Sequence, residues 1–163
     1  MTAGVLKTQG THLFFLNPTS SDPEVVKLTC PTGITGLGGA RDQIDVTCLD
    51  NTDDREFIGG LGNPGQVSVP FNFVPSAVSH QVLFDLKESG DVVDWMIAFS
   101  DGTGTPTVNS NDEFVAPVSR TSAVFQAFVQ DVNIDIATAD RVTGTLTLQR
   151  SGKVIWNFNG PTP

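Results

Sequence analysis

From Val67 to Phe73 the odd positions Val67, Val69, Phe71 and Phe73 are apolar, with Ser68, Pro70 and Asn72 between them. This is the two-residue period of a strand with one buried face. Pro70 has no backbone N–H to offer a ladder, so an edge position or a bulge is expected there. The alternation returns late in the chain. Val132, Ile134 and Ile136 alternate with Asp131, Asn133 and Asp135, while Val142, Leu146 and Leu148 lie among Thr143, Thr145, Thr147 and Gln149. Each strand is expected to bury one face and show a polar one. A single segment changes period: Val78, Val82, Leu83 and Leu86 recur at three- and four-residue spacing, which predicts a helix from about Ser76 to Ser89. Ser76 or Ser79 could cap its start, and Gly90 is a natural stop.

Shorter strand patterns cover His12–Leu16, Val25–Cys30, Ile44–Leu49 and Val93–Ser100, with Asn, Pro, Ser and Gly between them. Residues 103–120 read as loop. The last third reads as a meander of Ala123–Ala137, Arg141–Gln149 and Val154–Phe158, turning at Thr138–Asp140 and at Ser151-Gly152. The fold class is therefore mainly β: a sandwich or barrel of two packed antiparallel sheets with one flanking helix. Residues 1–163 form one domain, with 1–10 and 157–163 as candidate arms that order on assembly.

Residues 49–65, LDNTDDREFIGGLGNPG, break the pattern and predict a long loop between strands. Connections of this length inside compact domains are usually functional or disordered. Phe57, Ile58 and Leu61 argue against disorder, because a solvated linker gains nothing by exposing them. Asp50, Asp53, Asp54, Arg55 and Glu56 surround these three apolar residues with charge. The combination reads as a surface that meets a partner.

Two apparent ligand motifs in this stretch fail on chemistry. GLGNPG at 60–65 has the spelling of a dinucleotide loop, but Pro64 and a following strand deny it the helix N-terminus that would receive a pyrophosphate. The acids from Asp50 onward imitate a calcium loop, yet Arg55 and Leu61 stand where glycine and a bidentate glutamate are required. No nucleophile accompanies His12 or His80, and His80 reads as structural. Cys30 and Cys48 lack zinc-ligand spacing and read as two buried, reduced thiols, with a disulfide left open. No enzyme activity, metal or cofactor is expected.

Eighteen acids against nine bases give a formal charge of -9. Phosphate-gripping contact with nucleic acid needs clustered cations, so such contact is excluded. The apolar run at Leu13–Leu16 is too short for a signal peptide or a membrane span, which predicts a protein made and kept inside a cell, with no membrane partner.

The order of these elements carries a resemblance: early strands, the acidic glycine-rich loop, QVSVPFNF, the helix SAVSHQVLFDLKESG, a Trp-containing strand closing on SDGTG, and a meander ending in LTLQRSGKVIW. From about residue 25 to 158 it resembles the major tail tube proteins of long, non-contractile phage tails. The resemblance implies a structural virion protein, made in the host cytoplasm, whose hexameric rings stack into a hollow tube. It implies that the 49–65 loop joins subunits, and that double-stranded DNA passes through without specific binding. The partners implied are the chain itself and the tape-measure, tail-terminator and tail-tip proteins. Asp131, Asn133, Asp135, Thr143, Thr145 and Thr147 become the candidate lumen face, against the plain alternative of a solvated outer face. A different reading of the same pattern is a β-sandwich binding module, such as a virion decoration or carbohydrate-binding domain.

Overall fold

The computed structural model describes residues 4–18 and 22–159. Its element order is β1 (His12–Asn17), β2 (Glu24–Lys27), β3 (Arg41–Asp45), β4 (Phe57–Gly62), β5 (Gln66–Asn72), α1 (Val78–Ser89), β6 (Val92–Ala98), β7 (Thr107–Val108), β8 (Phe114–Val115), β9 (Ser122–Asp135) and β10 (Thr143–Asn157). Six strands form one antiparallel sheet in the order β2-β1-β6-β9-β10-β5, and β3-β4 and β7-β8 are separate hairpins.

The six-stranded sheet curls until its edges nearly meet. Leaving β2 at one edge, the chain crosses to β5 at the other. There Asn72 N–H donates to Cys30 O at 3.1 Å, Thr32 N–H to Pro70 O at 2.8 Å, and Thr35 and Ser68 exchange bonds at 3.0 and 2.9 Å. The mainly β, antiparallel expectation is met, in the barrel form, by this stitched closure of one six-stranded sheet in place of two packed sheets. Pro70 does lie on an edge strand, and its carbonyl serves the seam while its ring costs the ladder nothing.

Inside the curl lies one continuous core that includes Leu13, Phe15, Val69, Phe71, Trp95, Phe125 and Leu146, with Val82, Leu83 and Leu86 of α1 packed into it. Trp95 is fully buried, tilts against Phe15 at 4.9 Å between ring centroids, and donates its indole N–H to Ala127 O at 3.1 Å. That bond removes the cost of burying an indole donor. A smaller cluster of Phe14, Met96 and Ala98 lies on the sheet's other face, with Phe114 and Ala116 packed over it.

One extra residue organises β9. Thr147 faces Asp131 but Leu148 faces Val129, so Gln130 is the extra residue of a β-bulge. The bulge explains a change of parity: Phe125, Ala127 and Val129 point inward from odd positions, Val132 from an even one.

Several expectations are corrected. The predicted loop 49–65 is not continuous loop, because Phe57–Gly62 is strand β4, paired with β3 through Ile44↔Ile58 and Asp45↔Phe57. Glycines at 59, 60 and 62 disguised it, being poor strand formers in isolation. The helix starts at Val78 with Ala77 at the capping position and no side-chain cap. Ser79 is buried and bonds Thr29 instead, and Val78 is exposed. Gly90 ends the helix in the left-handed conformation, φ 70°, as expected. Ser151-Gly152 is a register shift within the single strand β10, not a turn. Cys30 and Cys48 are free and exposed, not buried. Trp156 is 41% exposed and stacks on Phe158 with ring centroids 5.8 Å apart.

Candidate assembly surfaces

The β3–β4 hairpin forms an arm. All of residues 41–62 are exposed except Thr47 and Gly60, which are half-buried. The connection from 46 to 56 is ordered by its own polar side chains. Thr47 N–H donates to Asp45 Oδ1 at 2.9 Å, Glu56 N–H to Thr47 Oγ1 at 2.9 Å, and Asp53 N–H to Asn51 Oδ1 at 3.2 Å. Asn51 Nδ2 in turn donates to Asp54 O at 3.0 Å. These residue types supply the backbone with turn partners at short range.

The predicted contact residues Asp50, Asp53, Asp54, Arg55 and Glu56 lie together in this connection, and Phe57, Ile58 and Leu61 follow on β4. Phe57 is 51% exposed, Ile58 53% and Leu61 84%. Three further apolar residues on the same arm, Ile44, Val46 and Leu49, are also exposed. None of the three stands among the expected contact residues, although Leu49 opens the stretch 49–65 and the spacing of Ile44 and Val46 carried the signal. An isolated two-stranded hairpin is marginal in water. Here it also displays six large apolar side chains, the composition of an interface core.

The second surface is the outer face of β5, β10 and β9. Thr143 faces Asp135, Thr145 faces Asn133, and Thr147 faces Asp131, so the six candidate residues form three direct cross-strand pairs. On the other side of β10 the same rows continue into Asn72, Pro70 and Ser68. Leu146 and Leu148 point to the core between them and are fully buried. No Lys or Arg occurs in Gln66–Asn72, Ser122–Asp135 or residues 143–149. Among the described residues two cations reach this face: Lys87 of α1 lies 3.4 Å from Asp131, and Arg141 Nε donates to Asn72 Oδ1 at 2.7 Å. Asp131 therefore has a partner, and Asp135 accepts from Asn133 Nδ2 at 3.0 Å.

His80 is buried and structural: Val74 N–H donates to Nδ1 at 3.1 Å, and Nε2 lies 2.7 Å from Thr29 O. Nε2 carries the proton in this arrangement. Among the described residues no three His, Cys, Asp or Glu side chains gather as a metal site, and no helix is long and apolar enough to cross a membrane.

A family profile described as phage tail tube, TTP, lambda-like, matches residues 4–160. Structural protein 3 of Pseudomonas phage PAJU2 is 33% identical over 155 residues, covering 93% of each chain. Among solved structures, the SPP1 tail tube superposes with a TM-score of 0.66 at 11% identity, covering 94% of this chain and 80% of that one. A chain from the virion of a native gene transfer agent particle gives 0.65 at 12% identity, covering 94% and 99%. The sheath/tube terminator structure of an extracellular contractile injection system gives 0.67 at 14%, covering 96% and 99%. At these identities the solved structures speak to the fold.

Proposed function

Because the chain belongs to the lambda-like phage tail tube family, and is thus a structural protein of the virion tail and not an enzyme, we propose that its β3–β4 arm joins subunits of stacked, hexameric rings. The observation that carries this reading is the arm itself: six exposed apolar side chains on a hairpin with no core of its own. Burial of those side chains between copies supplies the driving force, and the surrounding acids form a solvated rim.

The polar face of β5, β10 and β9 then lines the lumen. Hydroxyl, amide and carboxylate groups dominate this face, and its two cations, Lys87 and Arg141, are paired with Asp131 and Asp140, so DNA phosphates find little to hold. A six-membered ring carries a formal charge of about -54, six times that of one chain, so wall and duplex repel at short range while salt screens them beyond a Debye length of about 8 Å. DNA slides under these conditions. Tape-measure, tail-terminator and tail-tip proteins complete the set of partners in this reading.

Removal of residues 52–62 tests it. The deletion protein should remain a folded monomer by circular dichroism and form no tubes by electron microscopy. Tubes of ordinary length from that protein would overturn the reading.

A further inference from the structure

Beside β1 the structure opens a cleft of about 1080 Å³ between the segment 6–12 and the chain from Lys27 to Leu37. Its floor is apolar, with Leu28, Ile34, Leu37, Ile97 and Phe99. Among the described residues that line it none is Asp or Glu, in a chain with eighteen acids, whereas Lys7, Lys27 and His12 stand around it. Lys7 and Lys27 are both exposed, and among the described residues neither forms an ion pair. Burial, together with the nearby charges of Lys27 and Arg120, holds His12 below the usual histidine value. A cation-rimmed apolar trough thus sits on an otherwise acidic molecule.

The arm has the complementary chemistry. Residues 41–62 carry six acids against two bases around the exposed side chains of Ile44, Phe57, Ile58 and Leu61. The chain's two free, exposed thiols also divide between the surfaces: Cys30 lines the cleft and Cys48 lies on the arm. We propose that the arm of one copy seats in this cleft of a second copy, its apolar side chains on the cleft floor and its carboxylates beside Lys7 and Lys27. The inference rests on the reading of the arm as an assembly element and adds the surface that receives it. Opposite charge selects the cleft during encounter, and apolar burial holds the docked state. A neighbour's Cys48 then comes within bridging reach of Cys30.

Two measurements test the docking. Cys48→Ser and Cys30→Ser proteins are purified separately, assembled together, and treated with a short bismaleimide. The mixture should yield peptides linking Cys30 of one protein to Cys48 of the other. Absence of that link in intact tubes overturns the proposal, as does a wild-type link formed within a monomer. In the second measurement, K7E combined with K27E should abolish tubes while leaving a folded monomer. D53K with D54K on the arm should restore assembly to that background. Normal tubes from K7E/K27E overturn the cleft assignment. If the 52–62 deletion nevertheless prevents tubes, the arm still assembles the tube and docks elsewhere; if the deletion protein forms tubes, the underlying reading fails first.

Discussion

Thr35 and Ser68 exchange backbone hydrogen bonds at 3.0 and 2.9 Å, and this pair helps close the sheet by binding the chain from one edge to the strand at the other. Closure pairs the edge of β5, a row of backbone groups that an open sheet would expose to wrong partners. For a protein that assembles with copies of itself in one geometry, that shielding restricts where pairing can occur.

The residue after Thr35 sets the tightness of the seam. Gly36 adopts φ +100°, and a β-carbon there would stand 2.0 Å from Gln66 O. Gly36→Ala should therefore destabilise the monomer by about 1–3 kcal/mol, from strain alone, with more if the clash forces the seam apart. A lower urea midpoint checks this. An unchanged midpoint would mean that the seam does not hold the fold.

Gly144 plays a different part, because its backbone is unstrained but its β-position is occupied. It pairs with Phe71, and a β-carbon would lie 2.5 Å from Phe71 Cζ. Gly144→Ala should cost about 1–3 kcal/mol through overpacking. Phe71→Leu in the same chain should recover part of that loss, and a double-mutant cycle in urea measures the coupling. Strict additivity would show that the ring moves away freely.

Acid stability has a named contributor in Asp101. Burial opposes its charge, but Thr121 N–H at 2.9 Å, Thr121 Oγ1 at 2.6 Å and the nearby Arg120 charge hold its carboxyl below the ordinary 3.8. The folded state therefore binds its proton less readily than the unfolded state. The resulting stability is present above 3.8 and is lost as pH falls through the folded value. Thr121→Val should raise the Asp101 value in an NMR titration and reduce this acid-side contribution. A value that stays put would assign the shift to something other than Thr121.

The lumen assignment predicts an effect on DNA. Asn133→Lys with Thr145→Lys puts two adjacent, unpaired cations on a face whose own cations, Lys87 and Arg141, are paired with acids. Particles built with this variant should eject DNA several-fold more slowly at low salt, with the difference shrinking as salt rises. Both residues lie on an exposed or half-exposed face, so folding should survive. Ejection at the ordinary rate at all salt concentrations would place this face outside the channel.

Much of the architecture was legible along the chain. Strand β5 was visible because every second residue from Val67 to Phe71 is apolar and buried. Helix α1 was visible because Val82, Leu83 and Leu86 share one stripe. Strand β4 was hidden because its glycines mask local preference, and its pairing with β3 comes from a partner several residues away. The exposed cysteines were misplaced for a related reason: neither adjacent apolar pattern says whether another layer will cover them.

By itself the sequence determined the mainly β character, the single helix, the acidic balance and three of the arm's six apolar residues, Phe57, Ile58 and Leu61, since these follow from periodicity and composition over short windows. Tertiary structure alone decided that the sheet closes through Thr35 and Ser68, that Gln130 shifts the parity of β9, and that Asp131, Asn133 and Asp135 stand directly across from Thr147, Thr145 and Thr143. Those relations depend on register between distant strands. Register is a property of hydrogen-bonded pairs, and no single stretch of sequence contains both members.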